Sequence, residues 1–433
     1  EEIVVRTTTN GVVISDFKEN SSKLLLGKEV VSMSATYLQT GDTSLESIYE
    51  INRSKSWQNF QSALKKLKSP VLNVAYSDIH GNIGLQTAGI VPIRSSGDGT
   101  LPIRVRDKDQ RWIGFVPYEE LPSIYNPLKK QVINANNEVR SKIYNNFLSK
   151  NWSPSYRFDR IREVVNKSKT IGVEATKKLQ LDVISLMAKK ILNILLPQID
   201  RSSPLAKKGF NLLNSWNWEM DKDRPEGLIF SVFLRELNLA IYSDELGPYA
   251  INYLKSRSEF LLSVLSSKGY WCDNIKTSIV ETCKEQVNLA FKTSLQILSK
   301  KYGVKVENWQ WGDAHKAIFY NPVFSKTPIL QGLATLKIAT NGGNSTVNRG
   351  ATHLNNLEQP FSHIHGPGYR AIYDLNRLSD SQYMIATGQS GNIFSKHYRD
   401  FLKLWGLGQY RKMIETKVQF QNIKCYKLVL WPS

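Results

Sequence analysis

Six histidines are the residues of this 433-residue chain most open to catalytic or metal chemistry, because imidazole titrates near neutral pH and ligates metals readily. His363 and His365 stand two apart, a spacing that puts both on one face of a strand. His397 falls inside the run Ser395-Lys396-His397-Tyr398-Arg399-Asp400. No Asp or Glu beside the pair completes a recognisable ligand motif, so structural hydrogen bonding is the reading for these rings and no bound metal is expected. A Ser-His-Asp triad lacks support too, since no Gly-x-Ser-x-Gly elbow occurs. Cys272, Cys283 and Cys425 form no CxxC pair and allow at most one disulfide, which leaves the redox compartment open.

Residues 3–15 read as a strand, an Asn10-Gly11 turn and a returning strand, an exposed edge for which a pairing neighbour is expected. Between Ser44 and Leu67 the apolar positions Leu45, Ile48, Tyr49, Ile51, Trp57, Phe60 and Leu64 recur mostly at three and four residues, which predicts a helix pair. Val71–Ala75 and Ile83–Val91 read as strands around the turn Asp78-Ile79-His80-Gly81-Asn82. Pro, Gly and Asp crowd 92–130, which predicts mostly ordered loop. Asn134-Ala135-Asn136-Asn137 then reads by itself as a turn after a strand at Val132–Ile133.

From about 157 to 302 the period is helical. Helices are predicted over Thr176–Leu196, Glu226–Ile241 and Ile275–Leu298. Arg160, in Phe158-Asp159-Arg160-Ile161, reads as a helix-face arginine within reach of Asp159 or Glu163, with Arg157 and Arg162 a turn or less away. Strands return at Lys316–Tyr320, Ala334–Ala339, Tyr369–Asp374 and Tyr383–Thr387. Three parts follow: a sheet core with helix pair and loops over 1–150, a helical subdomain over 151–308, and a sheet core with terminal helices over 309–433. First and last strands are expected to pair around the helical middle, in an α+β class.

Composition excludes several functions. With 41% hydrophobic and 22% charged residues the chain is ordinary globular protein, and no apolar run approaches the roughly 20 residues that span a bilayer. A net charge of +19 raises the question of nucleic acid, but the lysines at 65, 66 and 68, at 177 and 178, and at 189 and 190 sit at helical spacing among apolar residues and read as solvated faces. No nucleic-acid motif accompanies them. Sequons begin at Asn20, Asn52, Asn151, Asn166 and Asn344 and carry little weight in so Asn- and Ser-rich a chain. The chain opens on Glu1-Glu2-Ile3-Val4-Val5 without initiator Met or signal stretch, and is expected to be a cleaved or truncated piece.

Gly388-Gln389-Ser390-Gly391-Asn392 followed by Ser395–Asp400 resembles the C-terminal signature of the penicillin acylase (penicillin amidase) family. Further segments are similar to that family in order: Arg6-Thr7 with Asn10-Gly11, Tyr76 to Gly84, Pro92-Ile93-Arg94, Gly97 to Pro102, Trp112-Ile113-Gly114, Pro117 to Pro122, Tyr125-Asn126-Pro127 and Asn134 to Asn137. Gly343 with Thr346-Val347-Asn348, then His365 to Arg370 and Asp374, continue the series. Gly368 and Phe401 depart from the family's usual Ser and Gln.

The resemblance implies part of an αββα N-terminal nucleophile hydrolase sandwich with a large helical insert. It implies hydrolysis of N-acyl amide bonds, of the beta-lactam side-chain or acyl-homoserine lactone type. The attacking group is an N-terminal serine, freed when the precursor cuts itself, whose own α-amine is the general base. No residue of this chain matches it, so the partner expected is a nucleophile-bearing segment or chain of the same precursor, with a small N-acyl substrate and the chain alone inactive. Asn136 matches the family's oxyanion-hole asparagine, which donates without carrying charge, and Arg160 matches its supporting arginine. The family's calcium is expected to be absent, since the Gly97–Pro102 pattern departs from the calcium-binding form. An extracellular or periplasmic location follows from the family's habit. The alternative is a non-catalytic surface or assembly protein derived from the same fold.

Overall fold

The chain divides into two units, Glu1–Ser153 and Pro154–Ser433, in a computed structural model that describes residues 2–18, 25, 29–39, 41–105, 112–254, 258–413, 429 and 431. Cys425 and the sequon at Asn20 lie outside the described residues.

In the first unit β1 (Thr7–Thr8), β2 (Gly11–Val13) and β3 (Ser32–Met33) form one sheet in that order. The predicted hairpin is present, but Thr8 pairs with Gly11, so Thr9 and Asn10 make the turn. Gly11 serves β3 instead: at φ +111 a Cβ there would fall 2.1 Å from the Met33 carbonyl oxygen.

The predicted helix pair is α1 (Ser44–Ile51) and α2 (Trp57–Leu64). The Ser56 hydroxyl caps α2 by accepting from the Asn59 N–H at 3.2 Å, and the helix buries Trp57, Phe60, Ala63 and Leu64. α1 is turned the other way. It buries Ser44 and Ser47, whose hydroxyls accept from the Lys68 N–H at 3.0 Å and donate to the Ala63 carbonyl at 2.8 Å. Leu45, Ile48 and Tyr49 are left outward at 81%, 52% and 60% exposure.

β4 (Leu72–Ser77) and β5 (Ile83–Ala88) pair from Leu72↔Ala88 to Ser77↔Ile83, as the sequence predicts. The 92–130 stretch, expected as mostly ordered loop, also holds three short strands: β6 (Pro92–Arg94), β7 (Trp112–Phe115) and β8 (Ser123–Tyr125). Strands of three or four residues are too short to show alternation; β6 and β7 pair with each other, and β8 pairs with β5. β8 lines the second edge of β5 and brings Tyr125 onto Trp57, ring to ring at 4.9 Å.

The second unit takes in both the helical stretch and the C-terminal strands. Its helices are α3 (Tyr156–Asn166), α4 (Val173–Gln180), α5 (Leu186–Leu195), α6 (Pro204–Asn214), α7 (Glu226–Leu246), α8 (Ala250–Tyr253), α9 (Ser258–Ser267) and α10 (Cys283–Tyr302). The single helix predicted over Thr176–Leu196 breaks between α4 and α5, because Ser185 caps the Ala188 N–H at 3.1 Å and Ile184 bridges to Glu219. The helix predicted from Ile275 starts at Cys283 instead. There Thr282 and Glu285 form a reciprocal capping box, which satisfies donors that have no partner inside the helix. α7 is buried on nearly every side and packs on α10, with Phe233 and Phe291 edge to face at 5.1 Å.

After α11 (Trp311–Ala314) come β9 (Lys316–Phe319), α12 (Pro328–Ala334), β10 (Leu336–Ala339), β11 (Tyr369–Ile372), β12 (Gln382–Ile385), α13 (Leu402–Gly406) and β13 (Arg411–Lys412). β9 pairs with β10, and β12 lies between β11 and β13. Among the described residues each sheet draws its strands from one unit, so the expected pairing of first with last strands is not found.

Cys272 and Cys283 form a disulfide that closes the loop before α10. Replacing both by Ala is expected to lower unfolding free energy by about 3 kcal/mol, since a loop this short loses that much closure entropy in the unfolded chain. Urea unfolding with and without reductant checks this: wild type should fall to the level of the double variant when reduced.

Candidate active site

The Asn134–Asn137 segment is built by its own side chains. The Asn134 Oδ1 accepts from the Asn136 N–H and the Asn137 Oδ1 from the Ala135 N–H, each at 3.1 Å, while Ala135 is buried beneath them. The Asn136 carbonyl accepts from the Ser153 N–H at 3.0 Å. Held at both sides, Asn136 takes φ +64 and is exposed. Asparagine tolerates that left-handed geometry better than most residues because its short amide bonds locally. No strand precedes it at Val132–Ile133. Asn136 belongs to the first unit and Arg160 to the second.

Arg160 lies on α3 with its whole fork engaged. Its Nε and Nη2 donate to the Asp182 Oδ2 at 2.9 and 2.6 Å, and Nη1 donates to Glu163 at 3.0 Å. Both Arg160 and Asp182 are nearly buried, at 13% and 12% side-chain exposure. Asp182 also accepts from the Ile184 N–H at 3.1 Å on its side chain and from the Asn348 N–H at 2.8 Å on its carbonyl. Arg160 therefore fixes α3 to the α4–α5 connection and to the Thr346–Asn348 segment. Of the two partners expected for Arg160, Glu163 is found and Asp159 pairs with Arg162 instead, at 2.6 Å. Asp182 was not visible as a partner, because no spacing rule links it to α3. Arg157, a turn earlier, is pushed down to about 10 by burial and by the nearby Arg349 charge.

The remaining motif segments are braces. Asp78 accepts from the Asn82 side chain, the Tyr76 hydroxyl and the backbone N–H of His80 and Asn82, all at 2.8 to 3.0 Å. Burial works to raise its carboxyl, but these donors outweigh it and hold the group at about 2. Asn126 completes the turn by donating to the Asn82 Oδ1 and accepting from the Ile83 N–H. In the C-terminal signature the His397 ring meets Asp400 at 2.9 Å, and its carbonyl accepts from the Ser390 N–H at 3.1 Å. Gly388 lies so close beneath that carbonyl that a Cβ would be 2.1 Å from it. Thr346 accepts from the Gly343 N–H at 2.9 Å and donates to the Asn348 carbonyl at 2.7 Å.

His363 and His365 do not share a face: His363 is buried and His365 exposed. The partner of His363 is His315, stacked on it at 5.2 Å. Among the described residues no group of three or more His, Cys, Asp or Glu could hold a metal ion. In the Gly97–Pro102 stretch Asp98 is held by Lys150 and by the Thr100 hydroxyl and N–H, which keep its carboxyl well below the usual range.

The penicillin amidase family model matches residues 1–422, and the chain belongs to that family. It is 25% identical over 418 residues to the acyl-homoserine lactone acylase QuiP of Pseudomonas syringae pv. syringae (strain B728a), covering 88% of this chain and 48% of that one. The penicillin acylase 2 proenzyme of Pseudomonas sp. (strain SE83) is 23% identical over 345 residues, with 77% and 42% covered. The chain spans about half the length of the curated relatives it matches. A thermostable penicillin G acylase from Alcaligenes faecalis superimposes with a TM-score of 0.68 at 17% identity, over 100% of this chain and 79% of the other. The fold is thus that of penicillin G acylase, with helix and sheet mixed as expected.

Replacing Arg160 with Ala strands a nearly buried Asp182 carboxylate and is expected to cost about 3 kcal/mol of stability. Urea unfolding of the variant measures it. An unchanged midpoint would mean the ion pair does not hold α3 in solution.

Proposed function

We propose that this chain is the C-terminal portion of an amidase that hydrolyses N-acyl amide bonds, of the acyl-homoserine lactone or beta-lactam side-chain type. A segment outside the chain supplies the N-terminal serine. The observation that carries the reading is the self-braced Asn134–Asn137 segment, whose exposed middle asparagine carries an uncharged amide, within a chain matched to the family over residues 1–422.

In this reading the serine hydroxyl gives its proton to the serine's own α-amine and attacks the substrate carbonyl carbon. The carbonyl oxygen becomes an oxyanion, to which the Asn136 side-chain N–H donates. The carbon–nitrogen bond then breaks, the departing amine takes the proton back, and water releases the acid from the acyl-serine ester. Nothing in these steps calls for a cofactor. Arg160, the supporting arginine of this reading, orders Asp182 and the Thr346–Asn348 segment within the second unit.

The outward apolar face of α1, with Leu45, Ile48 and Tyr49, supports a partner polypeptide that covers it, since contiguous apolar surface of this kind marks an interaction site. The disulfide supports an exported, oxidising location, extracellular or periplasmic. Among the described residues no helix is long and apolar enough to cross a membrane.

The test is turnover of the protein assembled with its serine-bearing segment. Asn136→Ala and Asn136→Gly should each lower kcat by about a hundredfold or more. The Gly variant also removes any backbone strain at φ +64, so its thermal midpoint should match wild type. Undiminished turnover in Asn136→Gly removes Asn136 from the site, and absence of hydrolysis by the assembled wild-type protein favours the binding or assembly role.

A further inference from the structure

Four rings stand in a buried column through the second unit. Trp311 lies on His315 at 4.4 Å and 13°, His315 on His363 at 5.2 Å and 7°, and His363 against Trp405 at 6.1 Å and 38°. His315 is wholly buried and His363 is 6% exposed.

The hydrogen bonds assign the tautomers. His315 Nδ1 lies 2.8 Å from the Phe361 carbonyl oxygen, which can only accept, so that nitrogen carries the proton and Nε2 is a bare lone pair. His363 Nδ1 lies 2.9 Å from the Thr340 hydroxyl, which itself donates to the His315 carbonyl at 3.3 Å, so His363 also donates from Nδ1. Each Nε2 then faces a glycine. A Cβ on Gly350 would be 2.3 Å from the His315 Nε2, and one on Gly366 would be 2.3 Å from the His363 Nε2. The His315 Nε2 is buried without a hydrogen-bond partner. A proton placed on the His315 Nε2 would point at Gly350 and find no acceptor in a wholly buried site.

The surroundings offer a second cation no relief. His365 and Arg349 act on His363, and the Arg370 guanidinium sits over the other side of the column at 5.3 Å from the Trp405 ring. Asp313, Lys316, Lys337 and Lys403, on the elements packed around the column, are exposed. Burial is the main force keeping both rings neutral, holding His315 down at about 3 and His363 at about 4.

The column also clasps backbone. The Ala351 N–H bonds the His365 carbonyl at 2.8 Å, the Ile364 N–H bonds the Ala351 carbonyl at 2.9 Å, and the His363 N–H bonds the Lys316 carbonyl at 3.0 Å. These bonds tie the segments carrying Gly350 and Gly366 to each other and to β9.

We propose that the stacked His315–His363 pair is an acid-sensitive lock: when either ring takes a proton, the segments around Gly350 and Gly366 part from the column before the rest of the second unit unfolds. The sign follows from linkage. Both rings are held below their ordinary value near 6.5, so the unfolded chain binds protons first as pH falls. The stability the neutral pair contributes is complete above about pH 6.5 and drains away down to about pH 3 to 4.

Hydrogen exchange of the full chain, read by mass spectrometry between pH 7 and pH 3 and corrected for intrinsic rates, tests this. In wild type, protection at 343–351 and 361–366 should fall ahead of protection in α7 and α10. In His315→Phe, which keeps an aromatic ring but takes no proton, and in His363→Asn, which keeps a donor for Thr340, that loss should shift to lower pH by about one unit. Loss at the same pH in a folded variant as in wild type, or no early loss in wild type, overturns the proposal. If neither variant folds at pH 7, NMR titration of the wild-type imidazoles decides: two rings that stay neutral down to pH 5 support the lock, and rings that all titrate near 6.5 in the folded protein overturn it.

Discussion

The indole of Trp311 is the contact on which the second unit turns. Its N–H donates to the Gly342 carbonyl at 2.8 Å, its face receives His315, and its edge lies in the same buried cluster as α7 and α10. Its own backbone N–H bonds the Arg224 carbonyl, and Gly312 beside it comes so near the Lys222 carbonyl that a Cβ would stand 2.9 Å from that oxygen. One side chain thereby joins the helical layer, the glycine-rich segment before Thr346 and the strand that begins at Lys316. The Trp311 ring covers one face of His315 and so helps to keep that imidazole out of water.

A similar economy of short polar groups shapes the candidate site. Asn134 and Asn137 spend their side chains on the backbone around Asn136, so the middle asparagine is oriented by its neighbours and not by a regular element. Asp78, Asn82 and Asn126 do the same at the β4–β5 turn, and His397 with Asp400 at the C-terminal signature. The family motifs are thus mostly devices for closing turns.

Much of this was legible in the sequence where the cause is local. The β4–β5 hairpin, the helix pair and the strands near 316, 336, 369 and 382 follow from periodicity and turn residues, and the ordered series of motifs identified the family. What escaped reading depends on partners distant in sequence. The break at Ser185 reflects a bridge to Glu219, the glycine at position 11 answers to Met33, and the ring stacked on His363 is that of the distant His315. Arg160 read well as a helix-face arginine, yet its main partner, Asp182, lies beyond the next helix. The outward turn of α1 was hidden for another reason: apolar spacing locates a face but does not say whether this chain alone covers it.

The central claim is that the attacking serine belongs to a different segment from the one that supplies Asn136. Peptide mapping of the native assembled protein after treatment with a serine-directed sulfonyl fluoride tests it most directly. The account predicts a single adduct on the N-terminal serine of the accompanying segment, with this chain recovered at its unmodified mass. An activity-abolishing adduct on a serine of this chain, or amide hydrolysis by this chain alone, would contradict it.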